Sequence, residues 1–302
     1  MKIAVAGLGK MGSQIARKLS ENGHEVIAHN RHTDKVDVAV GYGAVAAYKK
    51  EDVIKAFEAE QLVLWLMLPA EVLDSELDDW LGIIPSGSLI IDGGNSDFRQ
   101  TQKHAKLVSA KGSTLLDAGT SGGVWGYKNG FSIMIGGDKK EYLAMEPVFK
   151  TLALPSGAYQ YFGPSGSGHF VKMVHNAIEY GMMESLAEGY RMLREGPFTG
   201  LDLAAAGEVW QHGSVVTSWL NELSAQALAE NPELKGVEGV VAESGEARWT
   251  LEIAKELDIA MPAIQTSFDI RLASQQGQTN FATKLLAAMR NKFGGHAINK
   301  DN

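Results

Sequence analysis

The chain contains no cysteine, which rules out disulfides, thiolate metal sites and cysteine nucleophiles and fits a reducing compartment. It also lacks a long hydrophobic run. The longest, Leu62–Ala70, is far short of the roughly 20 residues that a membrane helix needs. After Met1 a short strand-like run, Ile3–Ala6, leads directly into glycines, so no secretory signal is expected. Cationic excess is missing too: 28 Lys and Arg face 36 Asp and Glu, for a net charge of −8. That balance argues against nucleic acid, because neutralising phosphates takes clustered cations. The expectation is a cytoplasmic protein without a membrane or nucleic-acid partner. A small anionic substrate stays compatible, since a few local cations override the global sign.

What is present is an ordinary globular composition, 45% hydrophobic and 21% charged. At 302 residues two domains are expected. The first half alternates strand-like runs (Ile3–Ala6, Glu25–His29, Leu62–Leu68, Ser88–Ile91, Thr114–Leu116) with helical patterns such as Met11–Glu21 and Phe98–Ala110. Such alternation predicts parallel βαβ units. Phe131–Ile135 and Tyr159–Phe162, separated by the helical Lys139–Thr151, read as less parallel strands. Beyond the turn cluster Gly163–Gly168 the pattern is helical, including Leu220–Ala229, Glu246–Leu257 and Ile264–Ser274. The fold class is therefore an α/β Rossmann N-terminal domain, residues 1–163, followed by an all-α domain, residues 164–302.

Strand Ile3–Ala6 runs into Gly7-Leu8-Gly9-Lys10-Met11-Gly12 and then a helix. G-x-G-x-x-G is weak alone but specific between a buried strand and a helix start. Gly7 permits the tight turn, Gly9 lets a pyrophosphate approach, and Gly12 allows helix and strand to pack closely. The helix amides and dipole then favour the phosphates. A carboxylate usually holds the ribose 2′-hydroxyl of NAD at the end of the second strand. Asn30, Arg31 and His32 stand there instead, and Asp34 is the first carboxylate. Arg31 suits a 2′-phosphate, which favours NADP over NAD. A solvated Arg31 with NAD is the alternative.

Lys172, His175, Asn176 and Glu179 are spaced i, i+3, i+4 and i+7, so they project from one helix face. Val171, Val174, Ile178 and Met182 form an apolar stripe roughly 100° away that is expected to pack. A base, an acid and two hydrogen-bonding groups on one face can serve catalysis, or simply form a solvated charge-paired face. Two glycine-bearing stretches follow strands: Asp92-Gly-Gly-Asn95-Ser96, and Asp117-Ala-Gly-Thr-Ser-Gly-Gly-Val-Trp-Gly126. Both leave the carboxyl ends of strands, where ligands of open α/β sheets lie, although either could be an ordinary turn. No His, Asp and Glu cluster reads as a metal site, and His24, His29 and His32 read as structural or cofactor-adjacent.

At these residues the sequence resembles the decarboxylating 6-phosphogluconate dehydrogenase family, in its shorter class. The resemblance rests on Gly7–Gly12, Asp92–Ser96, Ser121-Gly122-Gly123 and, most specifically, Gly168-His-Phe-Val-Lys172 through Tyr180, with support around Arg271 and Phe293–His296. It implies that Lys172 is the general base and Glu179 the proton donor in oxidative decarboxylation of 6-phosphogluconate. A free lysine titrates at about 10.4, whereas a base working near neutrality wants about 7–8. Asn95, Ser121, Gly122, Gly123, His175 and Asn176 would hold the carboxylate and hydroxyls. Tyr180 and Arg271 would hold the phosphate, joined by Arg290 and His296 from a partner subunit's tail in a homodimer or homotetramer. Gly7, Leu8, Gly9, Met11, Gly12, Asn30, Arg31, His32, Leu68 and Asn95 would contact the dinucleotide, and no metal is implied. The family's longer members carry a lysine and a threonine before Trp249-Thr250, where this chain has Ser244 and Glu246. Competing readings are a 3-hydroxyacid dehydrogenase for an unphosphorylated substrate and a catalytically silent dinucleotide-binding regulator.

Overall fold

The computed structural model describes residues 1–58 and 60–295. The chain divides into two compact units, Met1–Met173 and Val174 onward. The first unit runs β1 (Lys2–Ala6), α1 (Lys10–Glu21), β2 (Glu25–His29), α2 (Thr33–Val40), β3 (Val45–Ala47), α3 (Lys50–Ala56), β4 (Val63–Leu66) and α4 (Ala70–Leu81). It continues with β5 (Leu89–Asp92), α5 (Phe98–Ala110), β6 (Thr114–Ser121), a 3₁₀ turn at Gly123–Trp125, α6 (Gly126–Asn129), β7 (Ser132–Gly137), α7 (Lys139–Ala153) and β8 (Tyr159–Gly163). The long helix α8 (Ser167–Glu195) follows.

The strands form one sheet in the order β3-β2-β1-β4-β5-β6-β7-β8. Every pairing is parallel except β6 with β7. The central strands β1, β4 and β5 are buried on both faces, which is why they read as near-continuous apolar runs. Ile3, Val5 and Trp65 enter one core, and Ala4, Ala6, Leu64 and Trp80 enter the other. Trp65 and Trp80 are fully buried, and truncating either to Ala would cost about 3–5 kcal/mol. The chain reverses its lateral direction between β2 and β4 on either side of β1, so the glycine turn after β1 sits at the topological switch point.

The second unit is helical beyond α8: α9 (Leu203–Gln211), α10 (Trp219–Glu230), α11 (Glu246–Glu256), α12 (Pro262–Gln275) and α13 (Phe281–Gly294). Its core gathers Met183, Ala187 and Tyr190 of α8 with Leu285, Leu286 and Met289 of α13. The architecture is thus a Rossmann-type α/β region followed by an all-α region.

Two expectations change. Thr114–Leu116 extends as β6 through Ser121, because antiparallel pairing with β7 carries it past Asp117. The stripe expected to pack on α8 does not: Ile178 and Met182 are exposed, and the buried stripe is Met173, Ala177, Tyr180, Met183 and Ala187. α13 is locked into the core by Leu285, Leu286 and Met289, opened by an Asn280–Thr283 capping box and closed by Gly295 at φ 60°.

Candidate functional site

In the first unit, the glycine turn has the shape a dinucleotide phosphate needs. Gly7 adopts φ +97°, and a Cβ there would lie 2.4 Å from the Met67 carbonyl oxygen. A Cβ on Gly12 would come within 1.9 Å of the Gly7 carbonyl oxygen, so helix and strand meet at backbone distance. A Cβ on Gly9 would meet nothing within 4 Å, which leaves open space in front of the α1 N-terminus. Met11 is half-buried behind the turn, and the Leu68 side chain lies against Gly7, 3.0 Å from where its Cβ would be.

Asn30 braces this loop. The Leu8 N–H donates to Asn30 Oδ1 at 2.9 Å, and Asn30 Nδ2 donates to the His32 carbonyl at 3.0 Å. Its amide is therefore committed to the turn. Arg31 and His32 are exposed, and His32 stands at the N-cap position of α2 without a side-chain capping bond. His24 and His29 are structural: His24 Nε2 bonds Thr151 Oγ1 at 3.0 Å, and His29 Nδ1 bonds the Ala47 carbonyl at 2.9 Å.

The loop after β5 is shaped by buried Asp92. Its Oδ1 accepts from Gly94 N at 3.1 Å and its Oδ2 from Ser96 Oγ at 3.0 Å. Asn95 between them presents a buried Oδ1 with no hydrogen-bond partner. A buried acceptor left unmade costs about 1–3 kcal/mol, so this oxygen marks a place for a donor from a ligand. Ser121 ends β6, and Gly122 and Gly123 follow at φ +136° and +51°, a backbone that side chains rarely adopt. α1 fastens this turn: Gln14 Nε2 donates to the Gly123 carbonyl at 3.4 Å, and the Tyr127 N–H donates to Gln14 Oε1 at 3.0 Å. Buried Lys18 adds hydrogen bonds to the Gly126 and Tyr127 carbonyls, and burial lowers its pKa.

Asp117, expected in a ligand loop, is instead the anchor of α8. Fully buried in β6, it accepts from the Gly166 N–H at 2.7 Å through Oδ1 and from the His169 N–H at 2.9 Å through Oδ2. A carboxylate there satisfies orphan amides and complements the helix dipole. Gly168 makes the approach feasible, since a Cβ would lie 2.3 Å from the Met134 carbonyl oxygen. One turn on, Lys172 is only 4% exposed, and a Cβ on Gly119 would come within 2.5 Å of its Cβ. The lysine stem is thus held against a strand that has no side chain at that point. α8 is continuous, so Lys172, His175, Asn176 and Glu179 do share one face; the last three are half-buried.

In the second unit a polar cluster surrounds Tyr180. The Arg271 guanidinium lies 3.2 Å from the Tyr180 ring centroid and is 1% exposed. Burial pushes its pKa down to about 10, against the pull of Tyr180, Glu179 and Glu184. Among the described residues no carboxylate forms a salt bridge with it. A buried guanidinium without a carboxylate partner is costly, and an external anion could offset that cost. Arg290, also buried, has its pKa lowered by burial while Tyr180, Glu179, Glu246 and Glu243 raise it. Within this chain, α13 places Arg290 where it feels the charges of the Tyr180 cluster. His296 lies outside the described residues.

Three further residues join this cluster, and of them only Glu184 went unremarked in the sequence. Ser244 offers its N–H to Tyr180 Oη at 3.1 Å. Glu246, 4% exposed, accepts from Asn176 Nδ2 at 2.8 Å. Glu184 is buried with an unpartnered Oε2, and burial, with Glu188 second, pushes its pKa up to about 7.

Comparison with known proteins agrees with this arrangement. A family model described as the NAD binding domain of 6-phosphogluconate dehydrogenase matches residues 2–163, and one for the 6-phosphogluconate dehydrogenase C-terminal domain matches residues 168–297. The chain belongs to the 6-phosphogluconate dehydrogenase family. A Haloferax volcanii relative named as an NAD(+)-dependent, decarboxylating 6-phosphogluconate dehydrogenase is 36% identical over 300 residues, covering 99% of this chain and 98% of its own. A decarboxylating 6-phosphogluconate dehydrogenase from Synechococcus elongatus is 32% identical over 95% of this chain but only 64% of its own, so this family member belongs with the short forms. The Plasmodium falciparum 6-phosphogluconate dehydrogenase superposes with a TM-score of 0.81 at 27% identity, covering 97% of this chain and 65% of that one. Among the described residues no helix is long and apolar enough to cross a membrane.

Proposed function

We propose that the protein oxidises and decarboxylates 6-phosphogluconate to ribulose 5-phosphate and CO2. The observation that carries this reading is the buried Lys172 on the same helix that brings Tyr180 against an unpaired, buried Arg271. Lys172 takes the proton of the 3-hydroxyl as the C3 hydride departs. The bound dinucleotide supplies the hydride acceptor. The resulting β-keto acid holds its 3-oxygen against protonated Lys172, which draws electron density from C2 as the C1 carboxylate leaves as CO2. Lys172 returns its proton to that oxygen, and Glu179 protonates C2 of the enediol as Lys172 recovers the enediol proton, giving the ketone product. Asn95, Ser121, Gly122, Gly123, His175 and Asn176 orient the carboxylate and hydroxyls; Tyr180, Arg271 and Arg290 receive the phosphate.

Gly7, Leu8, Gly9, Met11, Gly12, Arg31, His32, Leu68 and Asn95 hold the dinucleotide, with Asn30 bracing the turn. The open space at Gly9 and the unpartnered Asn95 oxygen suit such a ligand. The exposed Arg31 at the end of β2, where no carboxylate stands, supports NADP. The name of the Haloferax relative favours NAD as a second reading. A KM for NADP below that for NAD, raised by Arg31→Ala, supports the first; the reverse order supports the second. Assembly as a homodimer or homotetramer is part of the proposal, supported by the exposed Ile178 and Met182 on α8. Because α13 runs to Gly294, the variant that tests a tail contribution from a neighbour is truncation after Gly295, with a raised KM expected.

Lys172→Met tests the chemistry. Turnover is expected to fall by about 10²–10⁴ with dinucleotide affinity retained. Persistent turnover would overturn the role of Lys172.

A further inference from the structure

Within the second unit, His175 and Asn176 of the reaction scheme above join a third side chain, Glu246, in a hydrogen-bonded series to which that scheme gives no role. Glu246 Oε1 accepts from Asn176 Nδ2 at 2.8 Å, and Asn176 Oδ1 lies 2.9 Å from His175 Nδ1. Glu246 is 4% exposed. A carboxylate can only accept, so the amide must turn its NH2 towards Glu246 and its oxygen towards the imidazole. That oxygen can only accept as well. His175 must therefore carry a proton on Nδ1, and in the neutral ring this puts the lone pair on Nε2.

We propose that Glu246 is a positioning residue that fixes the Asn176 amide and, through it, the tautomer of His175, so that His175 meets the substrate as a hydrogen-bond acceptor through Nε2. Such a ring takes a hydroxyl hydrogen and disfavours a carboxylate or phosphate oxygen. This assigns His175 to a hydroxyl of the polyol chain and leaves the anionic groups to other residues. The use of the tautomer in catalysis rests on the reading of the substrate given above; the tautomer itself does not.

The test compares Glu246→Gln with Glu246→Leu in the full-length protein. Both remove the charge, so a difference between them reports the hydrogen bond. The Gln oxygen still accepts from Asn176, whereas Leu leaves the amide free to turn. Nitrogen NMR of ¹⁵N-histidine protein, with His175→Gln assigning the signal, is expected to place the wild-type proton on Nδ1. Glu246→Gln keeps it there, and Glu246→Leu mixes the two tautomers. KM for 6-phosphogluconate rises about tenfold in Glu246→Leu relative to Glu246→Gln, with a smaller change in kcat. A wild-type proton on Nε2, or equal tautomer populations in the two variants, overturns the proposal. The NMR arm is independent of turnover, so it stands or falls separately from the assigned activity.

Discussion

Removing the Asp117 carboxylate should weaken the protein and its proposed chemistry together. The fully buried side chain accepts from Gly166 N at 2.7 Å and His169 N at 2.9 Å, and both bonds are charge-assisted. Hydrogen bonds of this kind contribute about 1.5–3 kcal/mol each, so Asp117→Ala should cost about 3–6 kcal/mol. Against a total stability of about 5–15 kcal/mol that is a large fraction. Asp117→Asn keeps one acceptor but points an NH2 at a second donor, so about 2–4 kcal/mol is expected. Lys172 follows His169 by one turn, and its stem rests against Gly119. Loosening the first turn should then lower kcat by about 10²-fold, as misplacement by an ångström does. Denaturant titration gives the stability, hydrogen exchange reads the Gly166 and His169 amides, and single-turnover hydride transfer reads the chemistry. If Asp117→Ala loses less than about 1 kcal/mol, or both amides keep wild-type protection, the anchoring argument is wrong.

Glu184 gives a pH signature. Burial raises its folded pKa to about 7 from the ordinary value of 4.5, so the native state binds its proton more tightly than the unfolded chain does. The associated stability is whole below about pH 4.5 and is lost as pH rises through about 7, roughly 3 kcal/mol in all. Glu184→Gln should flatten the stability profile across that window; an unchanged slope in pH-dependent denaturation would refute the assignment. Gly119→Ala brings a methyl within 2.5 Å of the Lys172 Cβ. It should lower kcat at least tenfold with dinucleotide affinity intact, and a wild-type kcat would show that the lysine does not depend on this contact.

Much of the fold is legible in the sequence because its signals are local. β2 and α5 occupy the ranges that periodicity predicts, and the glycine turn lies between β1 and α1. β3 escapes such a reading because three residues, Val45–Ala47, are too short for an alternation to register. The packed stripe of α8 differs from the expected one because polar Glu184 and small Ala177 and Ala187 share its buried face, while Ile178 and Met182 stay outside. Periodicity identifies stripes without saying which one a tertiary neighbour covers. The candidate site divides the same way. Lys172 to Glu179 is visible as a helix-spaced set. Asp117, Glu246 and Glu184 act across 49 or more residues, or through burial alone, and neither leaves a mark on the adjacent sequence.

The central claim is the oxidative decarboxylation of a phosphorylated sugar acid. Steady-state turnover of 6-phosphogluconate and of gluconate, measuring CO2 and reduced dinucleotide together, tests it most directly. One CO2 per hydride transferred is expected from 6-phosphogluconate, with kcat/KM above that for gluconate by a factor of at least about 100, since Arg271 would be left buried and unpaired without the phosphate. Equal rates for the two acids, or dinucleotide reduction without CO2, would contradict it.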